Sequence, residues 1–293
     1  MVDRETDVAR YGMRAGWGID NTPAFNDLVT DAMESNRRVF RFGPGEYQFF
    51  SAPQLIRTRG IEFHATARNA TVLARRFTAA QDHIGVFNFD EEAWGSKLSG
   101  FMMVGREECA GTGSMVSLVT KPAPEGVAGF CVEYCRFTSN APGGAFKYYL
   151  HLDGSNGGAA ETPRIRGFEL VHNEFFGHVA GGACMNFVSV MSGMITGGWC
   201  TPGTDPVGKA YPAAAIRFDG GPGEYAQTQN MRVDITGAYT VDFVRAKSIL
   251  MDAPYITDLR RKSGCKGISV RCPTVLSQSG GWSGQEGCWW RQS

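Results

Sequence analysis

The stretch Phe130-Cys-Val-Glu-Tyr-Cys-Arg-Phe-Thr-Ser-Asn140 aligns with Phe168-Glu-Leu-Val-His-Asn-Glu-Phe-Phe-Gly-His178, with aromatic or aliphatic residues matching at the first, third and eighth positions. A weaker third copy runs from Met231 to Tyr239, so the copies begin 38 and then 63 residues apart. A parallel β-solenoid places like residues above like residues in successive coils and tolerates loops of unequal length between them. The alignment therefore predicts stacked coils with irregular excursions.

The same alignment places small or Asn-type residues at one point of each copy, namely Cys135, Asn173 and Thr236. We interpret this point as a corner where the chain turns between strands. Outside the copies, short apolar stretches alternate with Gly, Pro, Asn or Asp, and 38 of the 293 residues are glycine. No long helical pattern separates the stretches, which argues against a doubly wound α/β sheet. A sandwich, a barrel and a propeller remain alternatives, and the internal similarity favours the solenoid.

One convincing helix is predicted, over residues 22–35. Thr22 is a suitable N-cap, and Pro23 suits the first helical position. One apolar stripe follows at helical spacing, formed by Phe25, Leu28, Val29, Ala32 and Met33. Such a helix must pack its stripe on another part of the protein.

The opening of the chain resembles the pectate-lyase-like superfamily, in the form found in bacteriophage tailspikes. The resemblance rests on Tyr11-Gly12, on Gly16-Trp-Gly-Ile-Asp-Asn-Thr-Pro-Ala-Phe25, and on Val39-Phe-Arg-Phe-Gly-Pro-Gly-Glu-Tyr47. It implies an all-β fold, a right-handed single-stranded parallel β-helix with a short N-terminal capping helix. A lid of this kind covers the apolar end and the open strand edges of the first coil. Trp17-Gly18 stands where the family usually has Asp-Gly.

Three segments are expected under this hypothesis. Residues 1–10 form an arm that could attach the protein to a virion, residues 11–264 form the β-helix, and residues 265–293 form a tail rich in Cys and Trp. The N-terminus is charged where an export signal would be apolar, and no stretch is long and apolar enough to span a membrane. With 29 basic and 29 acidic residues, the chain has no net charge to attract nucleic acid or a membrane surface.

The eight cysteines form no CxxC pair, so we expect free thiols. Cys131 and Cys135 lie four positions apart in a strand-like run, roughly 13 Å, which is too far for a disulfide. A zinc site from Cys265, Cys272 and a histidine or Cys288 would have no standard ligand spacing. No cofactor and no metal are therefore predicted.

The superfamily's enzymes cut or modify polysaccharides, so outward carboxylates are the candidate catalytic groups. We select Glu169 and Asp219 as a pair, because acids on neighbouring coils could reach the retaining geometry and acids two coils apart the inverting one. A solvated surface role is the alternative. The other outward or turn acids are Glu133, Asp153, Glu174 and Asp234. His172 and His178 could join Glu174 in a polar cluster, although a histidine with a single structural hydrogen bond is the commoner arrangement.

Three of the six tryptophans lie in the last 12 residues. Trp282, Trp289, Trp290 and Arg291 could form a subunit interface or stack on sugar rings. We favour the interface, since phage spikes of the resembling family are trimers.

The function predicted from these features is that of a bacteriophage virion structural protein, spike-like or fibre-like and homotrimeric, assembled in the host cytoplasm. It would contact other virion proteins and cell-surface polysaccharide, without binding nucleic acid or inserting into a membrane. The alternative is a polysaccharide depolymerase of tailspike type, either a glycoside hydrolase or a lyase.

Overall fold

The computed structural model describes residues 5–120, 126–139, 146–155, 165–177, 179–202, 214–220, 227–262, 264–280, 282 and 289–291. The strands in these residues pair in parallel and form two sheets of 14 strands each. Each sheet divides into two stacks in the N-terminal part of the molecule. The fold is the predicted parallel β-helix, and every coil contributes strands to successive stacks.

Stack I contains Thr6–Asp7, Val39–Phe42, Glu62–Ala65, Lys97–Ser99, Cys131–Glu133, Glu169–Val171 and Met194–Thr196. Stack II contains Gly45–Phe49, Thr71–Arg75, Met102–Gly105, Arg136–Ser139, Glu174–Gly177 and Trp199–Pro202. Stack III contains Phe87–Phe89, Val116–Val119, Phe146–Asp153, Val179–Val188 and Ala214–Asp219. The short stack IV contains Val127–Ala128, Ile165–Arg166 and Val190–Met191.

In the C-terminal coils the stacks merge. Stacks IV and I join in Thr228–Asp234, which is followed by Ala246–Asp252, Lys266–Arg271 and Trp289–Arg291. Stacks II and III join in Gly237–Phe243, which is followed by Tyr255–Arg261 and Thr274–Ser279. The coils after residue 264 thus continue both sheets, so the described part of the predicted tail belongs to the β-helix.

The strand register reproduces the alignment of the internal copies. Cys131 pairs with Glu169, the offset of 38 predicted from the sequence. The offset of 63 spans two coils, because Glu169 pairs with Met194 and Met194 pairs with Arg232. The intervening coil has Gly193 and Cys200 at the two positions where the copies carry phenylalanine, Phe168 and Phe175 in the adjacent coil. The sequence comparison therefore missed it.

The predicted corner is present and is held by an asparagine. Asn173 is buried, its Nδ2 donates to the carbonyl of Val132 across 2.7 Å, and its Oδ1 accepts from the Cys135 amide across 3.0 Å. The corner continues through Gly198, whose carbonyl accepts from the Thr236 amide. A side-chain amide here satisfies backbone groups that the turn removes from the strand ladder.

Like side chains stack on like side chains in the core. The rings of Phe137 and Phe175 are 4.7 Å apart and nearly parallel. A second column runs from Phe187 through Phe218 to Phe243, with centroid distances of 5.5 and 5.2 Å. Parallel in-register strands produce this arrangement because equivalent inward positions lie one coil apart, about 4.8 Å.

The predicted capping helix covers Thr22–Glu34. Its N-cap is Asn21 and not Thr22, because Oδ1 of Asp20 accepts from the Thr22 amide and draws Thr22 into the first turn. Phe25 packs against Phe49, Phe63 and Phe87 of the first coils. Four of the five stripe residues are buried, and Met33 is the exception, on the flank of the helix. The helix closes the mouth of the β-helix as expected.

The described residues of the N-terminal arm belong to this cap. Thr6 and Asp7 pair with Phe40 and Arg41, and the 3₁₀ helix Val8–Tyr11 buries Val8. A second 3₁₀ helix covers Glu107–Cys109. None of the helices in the described residues is long and apolar enough to cross a membrane.

Candidate functional site

The structure places the two predicted catalytic acids on different faces. Glu169 is exposed in stack I, between Cys131 and Met194 of the adjacent coils. Asp219 ends the last strand of stack III, beside Val188. The structure therefore does not bring Glu169 and Asp219 together as a pair. The acid on the same stack as Asp219 is Asp153.

Asp153 and Asp219 flank Val188, which pairs with both of them. They are two coils apart, about 10 Å at about 4.8 Å per coil. Inverting glycosidases hold their carboxyl groups about 6.5 to 9.5 Å apart, which is close to this backbone separation. Two acids two coils apart on one stack were expected from the sequence, and Asp153 with Asp219 has this arrangement, whereas Glu169 with Asp219 does not.

Both acids line an open groove of about 670 Å³ on stack III, called here the His151 groove. Its walls come from three adjacent strands of stack III and from residues 80–83, which follow the stack II strand Thr71–Arg75. The lining residues are Ala80, Gln81, Asp82, His83, Tyr148, His151, Asp153, Asn186, Val188, Arg217 and Asp219. Outward side chains of successive coils converge here because the strands are in register.

His151 is the central group of the groove, and it is only 7% exposed. Its Nδ1 lies 2.9 Å from Nδ2 of Asn186, and the ring of Tyr148 stacks on its imidazole at 4.8 Å. Burial lowers the pKa of His151 to about 4, so the ring is neutral near pH 7. Because Nδ1 accepts from Asn186, the single ring proton sits on Nε2.

The proton on Nε2 lies near a carboxylate. Nε2 of His151 is 3.9 Å from Oδ2 of Asp153, too long for a direct hydrogen bond and suited to a bridging water or ligand atom. Oδ1 of Asp153 accepts from the Ser155 amide across 2.8 Å. In the described part of the chain no Lys or Arg forms an ion pair with Asp153. The groove thus offers a neutral donor and a charged acceptor side by side.

The other charges at the groove are mostly paired. Asp82 is bound by Lys147 at 2.5 Å, and Asp219 by Arg245 at 3.1 Å. Arg217 lies 3.5 Å from Asp242. Oδ1 of Asn186 is buried and has no hydrogen-bond partner among the described residues. A buried acceptor without a partner is costly unless a ligand or water supplies a donor.

The histidine and tyrosine of this groove were not selected from the sequence. Tyr148, His151 and Asn186 lie in apolar runs, and only the pairing of Phe146–Asp153 with Val179–Val188 brings them together. His172 and Glu174 from the predicted polar cluster line a different groove, at the turn between stacks I and II. His178, the third member of that cluster, lies outside the described residues.

The tail tryptophans divide into two kinds. Trp282 is 7% exposed and packs edge-to-face on Phe243, so it closes the core of the last coils. Trp289 is 50% exposed on the terminal strand. Trp290 is half-buried, with its Nε1 donating to the Cys272 carbonyl, and Arg291 is exposed. A surface role fits Trp289 and Arg291, while Trp282 is a core residue.

Among the described residues, no three His, Cys, Asp or Glu side chains are grouped so that they could hold an ion. Cys265 and Cys272 are buried, and Cys288 falls outside the described ranges.

No family model and no curated protein matches the sequence. Among solved structures, the chain is similar to the A-module of mannuronan C-5 epimerase AlgE4 from Azotobacter vinelandii, with 12% identity and a TM-score of 0.52 over 93% of this chain and 76% of that one. It is also similar to ORF18 of Geobacillus virus E2, with 12% identity and a TM-score of 0.56. That match covers 94% of this chain and 58% of the viral protein. These similarities show a shared parallel β-helix fold.

Proposed function

We propose that this chain is a bacteriophage virion protein, spike-like or fibre-like, that binds host-surface polysaccharide in the His151 groove. The observation that carries the proposal is the groove itself, which combines the Tyr148–His151 ring stack with the unpartnered Oδ1 of Asn186. The shared fold with a viral protein and with a module of a polysaccharide-modifying enzyme supports it.

The groove has the chemistry that a sugar chain requires. Each hydroxyl of a sugar both donates and accepts, and the groove supplies donors from His151 and Arg217 and acceptors from Asn186 and Asp153. The groove is open and crosses several coils, so a linear chain can lie along it. A small apolar ligand would instead need an enclosed pocket.

Binding to purified host capsule or lipopolysaccharide tests this proposal. Arg217→Gln and Asn186→Ala should each weaken binding about fivefold to tenfold, the effect of losing one hydrogen bond, stronger where the bond is charged. Arg232→Gln serves as the control, because Arg232 is exposed on stack I, away from the groove. Equal binding by all three variants would contradict the proposed site.

A depolymerase is the second candidate, and the neutral His151 beside Asp153 favours it. Asp153 can accept a proton from the substrate or from water, while the Nε2 proton of His151 can stabilise an oxygen that gains negative charge. Asp219, two coils away, could complete a hydrolytic pair. These roles are proposals, and they leave Glu169, on stack I, outside the reaction.

Product analysis separates binding from cleavage. A hydrolase generates reducing ends, a lyase generates unsaturated uronate absorbance, and a binding protein generates neither. Asp153→Asn and Asp219→Asn should abolish any turnover, whereas Glu169→Gln should leave it unchanged because Glu169 lies on stack I. Loss of turnover in Glu169→Gln alone would place the chemistry on the other face.

Assembly completes the proposal. A homotrimer would use Trp289, Trp290 and Arg291 at the end of the β-helix, and the first residues would contact another virion protein. Because Thr6–Tyr11 belong to the cap, a deletion that tests attachment should remove residues 1–4 only. Particles that retain the shortened protein would exclude attachment through those four residues.

A further inference from the structure

A second groove of about 520 Å³ lies at the turn between stacks I and II. It is lined by Arg68, Tyr134, His172, Glu174, Trp199 and Thr236, together with Gly198. We call it the corner groove. Its residues follow stack I or belong to stack II, so it is separate from the His151 groove on stack III.

Three side chains form a continuous stack along one wall. The guanidinium of Arg68 lies 5.2 Å from the ring centre of Tyr134, and the Tyr134 ring lies 5.5 Å from the His172 ring at an angle of 20°. All three residues are exposed. The groove is also lined by the half-buried Trp199, whose ring reaches over Gly237 of the next coil.

Tyr134 and His172 occupy a backbone position at which glycine is the unstrained residue. On four successive coils the amide at this position donates to the coil above in the same way, and the residues are Gly100, Tyr134, His172 and Gly197. Their φ angles are 82°, 52°, 51° and 64°. Left-handed backbone is unfavourable for residues with a Cβ, so the two rings are held there against a local conformational cost.

We propose that the corner groove is a second polysaccharide-binding site and that it takes an acidic sugar. This inference rests on the proposed function only for the class of ligand. Trp199 and the exposed edges of Tyr134 and His172 provide apolar surface for a sugar ring, the Tyr134 ring holds the guanidinium of Arg68, and Arg68 binds the carboxylate of the sugar.

The charges of the groove favour an acid over a neutral sugar. Arg68 forms no ion pair with any residue in the described ranges, so its charge is available to a ligand. The carboxylate of Glu174 is already compensated by Arg136 at 3.4 Å. The groove therefore carries an uncompensated positive charge, and Glu174 can still accept hydrogen bonds from hydroxyl groups.

Two trisaccharides test the inference by calorimetry, a uronate trisaccharide and its carboxyl-reduced neutral counterpart. Wild-type protein should bind the uronate more tightly. Arg68→Gln should weaken uronate binding about tenfold and leave the neutral ligand unaffected. Failure of the wild-type protein to bind the uronate, or an unchanged affinity in Arg68→Gln, would overturn the inference.

The second variant, Tyr134→Gly, removes the stack while relieving the left-handed backbone, so it should fold with undiminished thermal stability and bind the uronate about fivefold more weakly. Ser248→Gly is the matched control, since Ser248 is exposed at a φ of 54° on a distant coil. It should also keep its thermal stability, and its affinity for the uronate should not change. Wild-type affinity in Tyr134→Gly would also overturn the inference.

The proposals for the corner groove and for the His151 groove can be tested independently of each other. If Arg217→Gln and Asn186→Ala weaken binding of host polysaccharide while the corner variants bind the uronate as wild type, the corner site is rejected and the proposed function stands. If only the corner variants lose uronate binding, the corner site stands and the His151 groove is not the binding site.

Discussion

The side chain of Asn186 donates to Nδ1 of His151 across 2.9 Å and so links two neighbouring coils of stack III. The contact fixes the imidazole tautomer, because an Nδ1 that accepts leaves the proton on Nε2. It also leaves Oδ1 of Asn186 without a partner among the described residues. One amide thus orients the histidine and keeps a buried acceptor without a partner in the lining of the groove.

The burial of His151 predicts a pH-dependent stability. Its pKa is about 4 in the folded protein, lowered by burial, and about 6.5 in an unfolded chain. The unfolded state therefore binds a proton first, so the stabilisation is complete above pH 6.5 and is lost as the pH falls towards 4. Urea unfolding at pH 7.5 and pH 4.5 should show that wild-type protein loses about 3 kcal/mol more than His151→Gln. Equal losses would show that His151 is not buried as a neutral ring.

The buried guanidinium of Arg75 should contribute strongly to the free energy of unfolding. Its side chain is fully buried, its Nη1 donates to the carbonyls of Thr112 and Ser114, and its guanidinium lies over Phe77 and Phe146. Burial lowers the pKa of Arg75 to about 10, which still leaves it charged at pH 7. Arg75→Ala should cost about 3 to 5 kcal/mol in urea unfolding, because it leaves a cavity and two unpaired carbonyls.

The adjacent arginine is the control for this prediction. Arg76 is half-buried beside Glu108 at 2.6 Å on the surface, and Arg76→Ala should cost under about 1 kcal/mol. If Arg75→Ala cost as little as Arg76→Ala, the hydrogen bonds from Arg75 to the carbonyls of Thr112 and Ser114 would not stabilise the fold.

The contribution of the corner to the free energy of unfolding can be measured by substituting Asn173. Asn173→Leu leaves the Cys135 amide and the Val132 carbonyl without their side-chain partner, at about 1 to 3 kcal/mol each. Thr236→Val, at an exposed corner two coils away, should change the free energy of unfolding by less than about 0.5 kcal/mol. If Asn173→Leu were equally mild, the corner would not depend on the asparagine.

The fold could be predicted because its signals are local. The capping stripe from Phe25 to Ala32 and the copies at Phe130 and Phe168 both follow from spacing along the chain, and the structure confirms them. Because like residues stack on like residues in successive coils, the inward-facing side of each strand could also be predicted. Thr22 was assigned wrongly as N-cap, since the competing contact from Asp20 depends on the turn geometry before the helix.

The site could be predicted only in part, because it depends on which coils lie next to each other. Of the outward acids named from the sequence, Asp153 and Asp219 share a groove. The selected partner Glu169 lies on stack I and Asp219 on stack III, because the sequence pattern marks a strand without showing to which face of the coil it belongs. His151 gave no signal because nothing in the local sequence marks its burial or its contact with Asn186.

The last prediction concerns the two classes of tail tryptophan. Trp282→Ala should cost about 3 to 5 kcal/mol, since it empties a buried site next to Phe243 and removes the hydrogen bond to the Ser279 carbonyl. Trp289→Ser should change the stability of the isolated chain by less than about 1 kcal/mol, because half of its side chain is already in solvent. Its effect should instead be on assembly.

Light scattering on the purified proteins measures that effect. If Trp289 anchors a subunit interface, wild-type protein is a trimer and Trp289→Ser shifts it towards monomer, because exposed aromatic anchors carry much of the energy of an interface. Trp17→Ser is the matched control, with a tryptophan 71% exposed at the opposite end of the β-helix, and it should leave the trimer intact. A wild-type monomer, or a trimer that survives Trp289→Ser, would assign the exposed indole to another role, of which stacking on a sugar ring is the first to test.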